Sequence, residues 1–258
     1  MQNNNQLISN ILSINEFFWR SMSIETYDTD SLFAWATGLN YNYLNGVISR
    51  KEKITEVEIK EVIYFFETKN IRFVWNLNPI LAPEATAELL LSQDFRETGS
   101  YSVLWYNLTE ELPELCLTSC TIKEVVDEKG LNEWKIPLDE GFKTDKNEQS
   151  SYFDRVKNIP YGDEKSFHHY VAYLDGKPVS CATLSFIEYG ARIDNVATCD
   201  DFLRKGFAKA VTIFAMQEAK KFGCKMVCLE SSDKGLPLYL KIGFKEIYKN
   251  REFVYDKH

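Results

Sequence analysis

A basic turn with one glycine joins a predicted strand to a predicted helix in the stretch NVATCDDFLRKGFAKAV, residues 195–211. The first amides of a helix have no partner within the helix, and with the helix dipole they form an anion-binding site. Gly206 lets a ligand approach the backbone, and Arg204, Lys205 and Lys209 add positive charge. The turn favours a phosphate-bearing ligand, although an exposed basic helix start would explain it equally well. The dinucleotide fingerprint and the nucleotide P-loop pattern are both absent.

A second segment, ESSDKGLPLYLKIGF at residues 230–244, follows the next predicted strand. Together the two segments resemble the motifs of the GNAT superfamily, the acetyl-coenzyme-A-dependent N-acetyltransferases. Gly206 and Ala208 occupy the two small positions of its [Q/R]-x-x-G-x-[G/A] motif. Four residues match the L-Y-x-x-x-G-F pattern of its last helix: Leu238, Tyr239, Gly243 and Phe244.

Three positions depart from the family pattern. Leu203 stands where the family usually has Gln or Arg, so it cannot supply the polar side chain that braces the loop. Asp200 replaces a common proline, and a carboxylate near a diphosphate is unfavourable unless it points away. Ser232 stands in place of a common Asn.

The resemblance implies acetyl-CoA as the co-substrate and implies no metal. It places the pantetheine arm along one strand and the pyrophosphate on the amides of the basic turn. The cofactor-binding residues expected from it are Val196, Ala197, Thr198, Arg204, Lys205, Gly206, Phe207, Ala208, Lys209 and Ser232.

Tyr239 stands where the family places its general acid. A phenol with a reference pKa of about 10 can protonate a departing thiolate whose thiol has a pKa near 8.5. The alternative is that Tyr239 only packs in the core. Asp194 is the candidate general base because it shares a strand face with Val196 by the period of two, and Glu188 is a second candidate. Both carboxylates would otherwise be ordinary surface or structural groups.

Histidine and cysteine offer weaker candidates. His168 and His169 begin a predicted strand, so one faces the core and one faces out, and a structural role is favoured for both. Cys224 and Cys228 lie in a predicted buried strand, where free thiols are favoured over a metal site. Direct transfer to an amine needs no nucleophilic cysteine, so Cys199 is interpreted as a small residue at a strand end.

Residues 30–108 resemble, more loosely, the N-terminal half of tandem GNAT proteins, but they contain no basic glycine turn. We therefore expect residues 1–110 to form a degenerate GNAT-like domain and residues 117–258 to form the catalytic acetyl-CoA-binding domain. The N-terminal domain would act like the second protomer of a GNAT dimer. The chain would then be a monomer, as a pseudo-dimer within one chain, or a homodimer.

The expected fold class is α/β (α+β). Alternating strands and helices in both halves predict two such lobes. The resemblance implies that each is a mixed, mostly antiparallel twisted sheet flanked by helices. Asp175-Gly176 predicts a β-hairpin, residues 206–222 predict a helix, and FKEIY and EFVYD predict two final strands.

Composition limits the partners. The net charge is −8, and residues 1–115 carry 8 Lys and Arg against 16 Asp and Glu, which argues against nucleic-acid binding and weakly favours a cationic acceptor. No signal peptide or membrane-spanning run is visible, so we expect a cytoplasmic protein with no membrane partner. The predicted activity is acetyl transfer to an amine of a small molecule or protein. The alternative is a non-catalytic acyl-CoA-binding or regulatory module.

Overall fold

The computed structural model describes residues 2–82, 84–115 and 120–255. Its internal contacts divide the chain into two compact units. The first unit contains residues 1–18, 104–230 and 234–245, and the second contains residues 19–103, 231–233 and 246–258. Pro83 and residues 116–119 lie outside the described residues.

The helices in the described residues are α1 (Gln2–Met22), α2 (Glu56–Glu67), α3 (Glu84–Ser92), α4 (Glu128–Phe142), α5 (Lys146–Val156), α6 (Phe207–Lys221) and α7 (Leu236–Ile242). The strands are β1 (Glu25–Asp28), β2 (Leu32–Ala36), β3 (Gly46–Ser49), β4 (Val74–Leu77), β5 (Phe95–Asn107), β6 (Thr121–Glu124), β7 (Phe167–Leu174), β8 (Lys177–Ile187), β9 (Gly190–Thr198), β10 (Met226–Ser231) and β11 (Lys245–Tyr255).

In the first unit the strands lie in the order β5-β10-β9-β8-β7-β6. Strands β6 to β9 pair antiparallel, and β10 pairs parallel to β9. Asp175 and Gly176 join β7 to β8 with positive φ at both positions, 49° and 75°, as a type I′ hairpin turn requires. The predicted hairpin and the mixed, mostly antiparallel sheet flanked by helices are confirmed.

The core of the first unit lies between the sheet and its helices. Val211, Ala215 and Ala219 of α6 are fully buried, and they belong to one apolar cluster with Tyr170 of β7 and Leu229 of β10. These three positions recur every four residues, so one stripe of the helix faces the sheet.

Helix α1 contributes its first seventeen described residues to this unit. Ile14 is fully buried, and it packs against Gly190 so closely that an added Cβ there would lie 2.5 Å from Ile14 Cδ1. The rings of Phe17 and Phe18 lie 5.8 and 5.9 Å from that of Phe167 on β7. An N-terminal helix therefore completes the core around the C-terminal strands, which no pattern in the sequence indicated.

In the second unit the strands lie in the order β1-β2-β3-β4-β11-β5. Thr55 and Glu58 form a capping box at the start of α2, since the Thr55 side chain accepts from the Glu58 amide and the Glu58 carboxylate accepts from the Thr55 amide. The two strands predicted at the C-terminal end are a single strand, β11. That prediction was wrong because the polar residues between them continue the strand.

Candidate active site

Strands β9 and β10 separate part-way along their length. The paired part of β9 is residues 190–192, which pair in parallel, residue for residue, with Met226, Val227 and Cys228 of β10. In the described residues, positions 193–198 of β9 have no partner on β10. The remainder of β9 therefore presents a free backbone edge on the side that β10 has left.

The free edge carries the amides of Val196 and Thr198. The Cys199 amide donates to the Val179 carbonyl on the β8 side at 3.0 Å. Because successive strand amides point to opposite edges, the Thr198 and Val196 amides point away from β8. These two amides can donate to an extended ligand with carbonyl groups, as a pantetheine arm has.

A β-bulge interrupts β9 at Asn195. The register shifts between Cys181 and Thr183 of β8, and Asn195 has a φ of +54°. Its side chain accepts from the Tyr152 hydroxyl at 2.9 Å and donates to the Thr183 hydroxyl at 3.2 Å. Sequence reasoning missed this bulge. An Asn, which tolerates positive φ, was the only local signal for it.

The start of α6 leaves a row of amides without acceptors. Gly206 caps the helix at a φ of +93°, and Arg204 also has a positive φ, 61°. Within the described part of the chain, the six peptide N–H groups from Arg204 to Lys209 have no hydrogen-bond acceptor. A run of unpaired amides at a helix N-terminus binds anions through the amides and the helix dipole together.

Two of the three cations at this turn are unpaired. Arg204 and Lys209 have no ionic partner among the described residues, whereas the Lys205 ammonium donates to the Asp201 carbonyl at 2.7 Å. Asp200 forms an ion pair at 2.8 Å with Lys143, the residue that follows α4. The carboxylate that the sequence placed near a phosphate is thus neutralised by a neighbouring lysine.

Tyr239 lies in the first turn of α7 and is 8% exposed. Its ring packs edge-on against Phe244 at 5.9 Å. Its hydroxyl has no hydrogen-bond partner in the portion of the chain that the structure describes. Burial, and secondarily the charge of Asp194, raise the pKa of this phenol well above its usual value, so it stays protonated at neutral pH. The Tyr239 ring therefore packs in the core, and its hydroxyl is available as a proton donor.

Asp194 belongs to a buried ionic cluster on β9 and β10. Both of its carboxylate oxygens accept from Arg192, at 2.6 and 2.9 Å. Arg192 is 2% exposed, and it also donates to Glu230 at 2.9 Å and to Asn15 of α1 at 2.6 Å. Burial raises the pKa of Asp194, and Arg192 opposes that shift. The Asp194 side chain is 17% exposed.

These features lie within the segment that matches a known family. Residues 131–244 match the model of the Acetyltransferase (GNAT) family. This segment belongs to the GNAT superfamily. The family transfers acetyl groups from acetyl-CoA, and the free edge of β9, the unpaired amides of α6 and Tyr239 all fall inside the matched residues. Among curated proteins, none matches the sequence.

Solved structures show the same fold over most of the chain. A GCN5-related N-acetyltransferase from Kribbella flavida is 14% identical with a TM-score of 0.76, covering 98% of this chain and 96% of that one. A functionally unknown protein from Staphylococcus epidermidis is 13% identical with a TM-score of 0.70, covering 92% and 97%. A tandem GNAT protein from the clavulanic acid biosynthesis pathway is 9% identical with a TM-score of 0.60, covering 86% and 77%.

The other residues predicted to bind the cofactor differ in how far their side chains are buried. Phe207 is buried against Ala172 and Val179, so only its amide can meet a ligand. Ala197 and Thr198 are buried, and Val196 and Ala208 are half-buried. Ser232 is exposed just after β10, in the short segment that belongs to the second unit. Leu203, which stands where the family usually has Gln or Arg, is 42% exposed.

The alternative catalytic groups are unsuited to the chemistry. Glu188 is exposed in the turn before β9, at the end of the strand remote from the free edge. His169 is buried, and burial together with the charge of His168 lowers its pKa to about 3. The Cys199 thiol has its pKa raised to about 12, chiefly by burial, and stays uncharged. His168 contacts Glu124 at 2.6 Å and the Lys165 carbonyl at 3.1 Å, as a structural histidine does.

No helix among the described residues is long and apolar enough to cross a membrane. No group of three or more His, Cys, Asp or Glu side chains placed to hold a metal ion occurs in residues 2–82, 84–115 and 120–255.

Proposed function

We propose that this protein transfers an acetyl group from acetyl-CoA to a primary amine by direct attack of the amine on the thioester. The observation that carries the proposal is the row of six amides without acceptors at the start of α6. Such a row suits a diphosphate, which has many acceptor oxygens and no donor. Arg204 and Lys209 add two unpaired cations at the same turn.

The free edge of β9 would bind the pantetheine arm. The amides of Val196 and Thr198 are unpaired by β10 and point to that edge. An amide there also serves as the oxyanion donor, because a fixed N–H group stabilises the charge that develops on the thioester oxygen. Bound acetyl-CoA supplies the activated acetyl group, and the chain supplies its alignment.

Asp194 is proposed as the general base. Its partial exposure lets it accept a proton from the acceptor amine, and its raised pKa makes it a stronger base than a solvated aspartate. Tyr239 is proposed as the general acid. Its hydroxyl has no other partner in the described residues, so it can donate a hydrogen bond to the sulfur and pass its proton as the carbon–sulfur bond breaks. The nitrogen of the tetrahedral intermediate loses its second proton to the Tyr239 phenolate, which restores the phenol. The thiol and the N-acetyl product then leave as neutral groups, and Asp194 holds the first amine proton until it is released to solvent.

Leu203 favours a second candidate, an acyl-CoA-binding module without catalysis, because the loop lacks the family's polar brace at that position. Calorimetry with CoA and acetyl-CoA, followed by an assay of thiol release, separates the two. The amine panel contains a polyamine, an amino acid, an aminoglycoside and a lysine peptide. If the protein is an enzyme, it should bind acetyl-CoA and release thiol only when an amine is present. If it is a binding module, it should bind acetyl-CoA without releasing thiol. Absence of CoA binding contradicts both.

A further inference from the structure

Arg192 is a buried cation with more than one anionic partner. It lies on β9 at 2% exposure, and its Nη2 atom donates to both Asp194 and Glu230 at 2.9 Å. Its Nη1 atom donates to Asn15, and the Asn15 amide donates to Glu230 at 3.2 Å. Arg192, Asp194 and Glu230 together carry one net negative charge.

The cluster matters when Asp194 takes up a proton. In the proposed reaction the amine, as R–NH₃⁺, gives H⁺ to the Asp194 carboxylate and becomes R–NH₂ while Asp194 becomes a neutral acid. A 1:1 pair of Arg192 and Asp194 would resist this step, because protonation would leave a buried guanidinium without a counterion. Such an uncompensated buried charge is strongly unfavourable.

We propose that Glu230 is a positioning residue that keeps Arg192 paired when Asp194 is protonated, so that Asp194 can act as a base. This inference rests on the proposed function for the role of Asp194. The contacts to Glu230 and Asn15 persist when Asp194 is neutral, and the guanidinium stays compensated on both sides of the proton transfer. Glu230 thereby acts through Arg192 and need not touch the substrate.

The groups that face Asp194 come from several elements. Arg192 on β9 and Glu230 on β10 are charged, whereas Tyr152 of α5 and Tyr239 of α7 are neutral phenols that the Asp194 charge reaches. Cys228 of β10 is a buried thiol kept neutral by the same burial. Glu230 is thus the one carboxylate in this set able to share the charge of Arg192, and its removal should move the Asp194 titration to lower pH.

The test is an NMR titration of the full-length chain with ¹³Cγ-labelled aspartate. The Asp194 resonance is assigned by its loss in Asp194→Asn. Glu230→Gln should lower the Asp194 midpoint by about one to three pH units, because it removes a nearby negative charge that raises the pKa of Asp194. Glu188→Gln is the matched control, with the same chemical change at an exposed turn, and should leave the midpoint in place. An unchanged midpoint in Glu230→Gln overturns the proposal.

A second measurement uses the wild-type chain in case Glu230→Gln does not fold. The ¹⁵N-labelled guanidinium of Arg192 should keep its Nη protons protected from exchange both above and below the Asp194 midpoint. Loss of that protection once Asp194 is protonated would show that Glu230 does not hold Arg192, and would overturn the proposal.

Neither readout uses acetyl-CoA or an acceptor, so failure of acetyl transfer is distinguishable from failure of this inference. If an amine in the panel is acetylated, the acid limb of kcat/KM for that amine should move to lower pH in Glu230→Gln by the same interval as the Asp194 midpoint. If the Asp194 midpoint moves but the acid limb of kcat/KM does not, Glu230 does not control the base of the reaction.

Discussion

Burial, and secondarily the negative charge of the Asp194 carboxylate on β9, raise the pKa of the Tyr239 phenol on α7. The proposed base and the proposed acid are therefore electrostatically coupled, although 45 positions of sequence separate them. When Asp194 takes the amine proton, its negative charge disappears and Tyr239 becomes a stronger acid. The acid thus gains strength at the stage when the departing thiolate needs a proton.

Tyr239→Phe should lower kcat for acetyl transfer about 10- to 100-fold while changing the KM for acetyl-CoA less than about twofold, because only the proton donor is lost. The fold should be kept, since the hydroxyl has no partner in the described residues. The measurement is thiol release with the best amine of the panel, compared at saturating acetyl-CoA.

Tyr170→Phe is the matched control for that variant. Tyr170 lies in the same apolar cluster, and its buried hydroxyl also lacks a partner in the described part of the chain. Removing the Tyr170 hydroxyl should leave kcat unchanged. It should not reduce the free energy of unfolding either, because a buried hydroxyl without a hydrogen bond does not stabilise the fold. Full turnover in Tyr239→Phe would show that Tyr239 only packs in the core.

Arg204→Ala and Lys209→Ala should each raise the Kd for CoA about two- to fivefold at low salt, as expected for an exposed ion pair. The difference should shrink at high ionic strength because salt screens these charges. Lys221→Ala removes a charge from the opposite end of α6, where Lys221 pairs with Glu218 at 2.6 Å, and should leave the Kd unchanged. Calorimetry at two salt concentrations measures the Kd for CoA of the wild type and the three variants. If all of them have the same Kd, this turn does not bind the phosphates.

His169→Asn should reduce the acid sensitivity of the fold. The folded-state pKa of His169 is lowered to about 3, whereas an unfolded histidine titrates near 6.5. The stabilisation from the neutral ring is complete above pH 6.5 and is lost as pH falls towards 3, because only the unfolded chain binds the proton. Between pH 6.5 and 5 the free energy of unfolding should fall by about 2 kcal/mol for this reason.

Urea unfolding of wild type and His169→Asn at these two pH values checks the prediction. Asn keeps a polar atom for the Thr183 hydroxyl, which lies 2.8 Å from Nδ1 of His169. The variant should lose about 2 kcal/mol less than wild type over this interval. The same pH dependence in both chains would show that His169 is not held neutral.

Most elements of the first unit could be predicted because their signals are local. The Asp175-Gly176 turn and the glycine at the start of α6 each depend on residues only a few positions apart. Periodicity then assigned the strands and helices between these signals.

The ionic cluster could not be predicted because its contacts are long-range. Arg192 lies between the apolar residues Ala191 and Ile193 of β9, and its partners Glu230 and Asn15 are 38 and 177 positions away. The continuous strand β11 was missed for a related reason. Its central Lys-Asn-Arg suggested a turn, but Asn250 is buried and donates to the Tyr101 hydroxyl at 2.9 Å. A single sequence does not show which polar residues find distant partners.

Asn15→Ala should destabilise the chain by about 1–3 kcal/mol, because Arg192 and Glu230 each lose a buried hydrogen-bond partner. Asn10→Ala is the matched control on the same helix, where Asn10 accepts only from Gln6. It should be neutral or slightly stabilising, since Ala favours the helix. Urea unfolding compares the two, and equal effects would show that α1 does not complete the ionic cluster.

The central claim is that the amides at the start of α6 bind the diphosphate of CoA. The most direct measurement is a ¹⁵N NMR titration of the full-length chain with acetyl-CoA, following the amides of Arg204 to Lys209. We predict saturable shifts of these six resonances together with those of Val196 and Thr198. Saturable binding that leaves all of them unmoved, or no binding at millimolar acetyl-CoA, would contradict the claim.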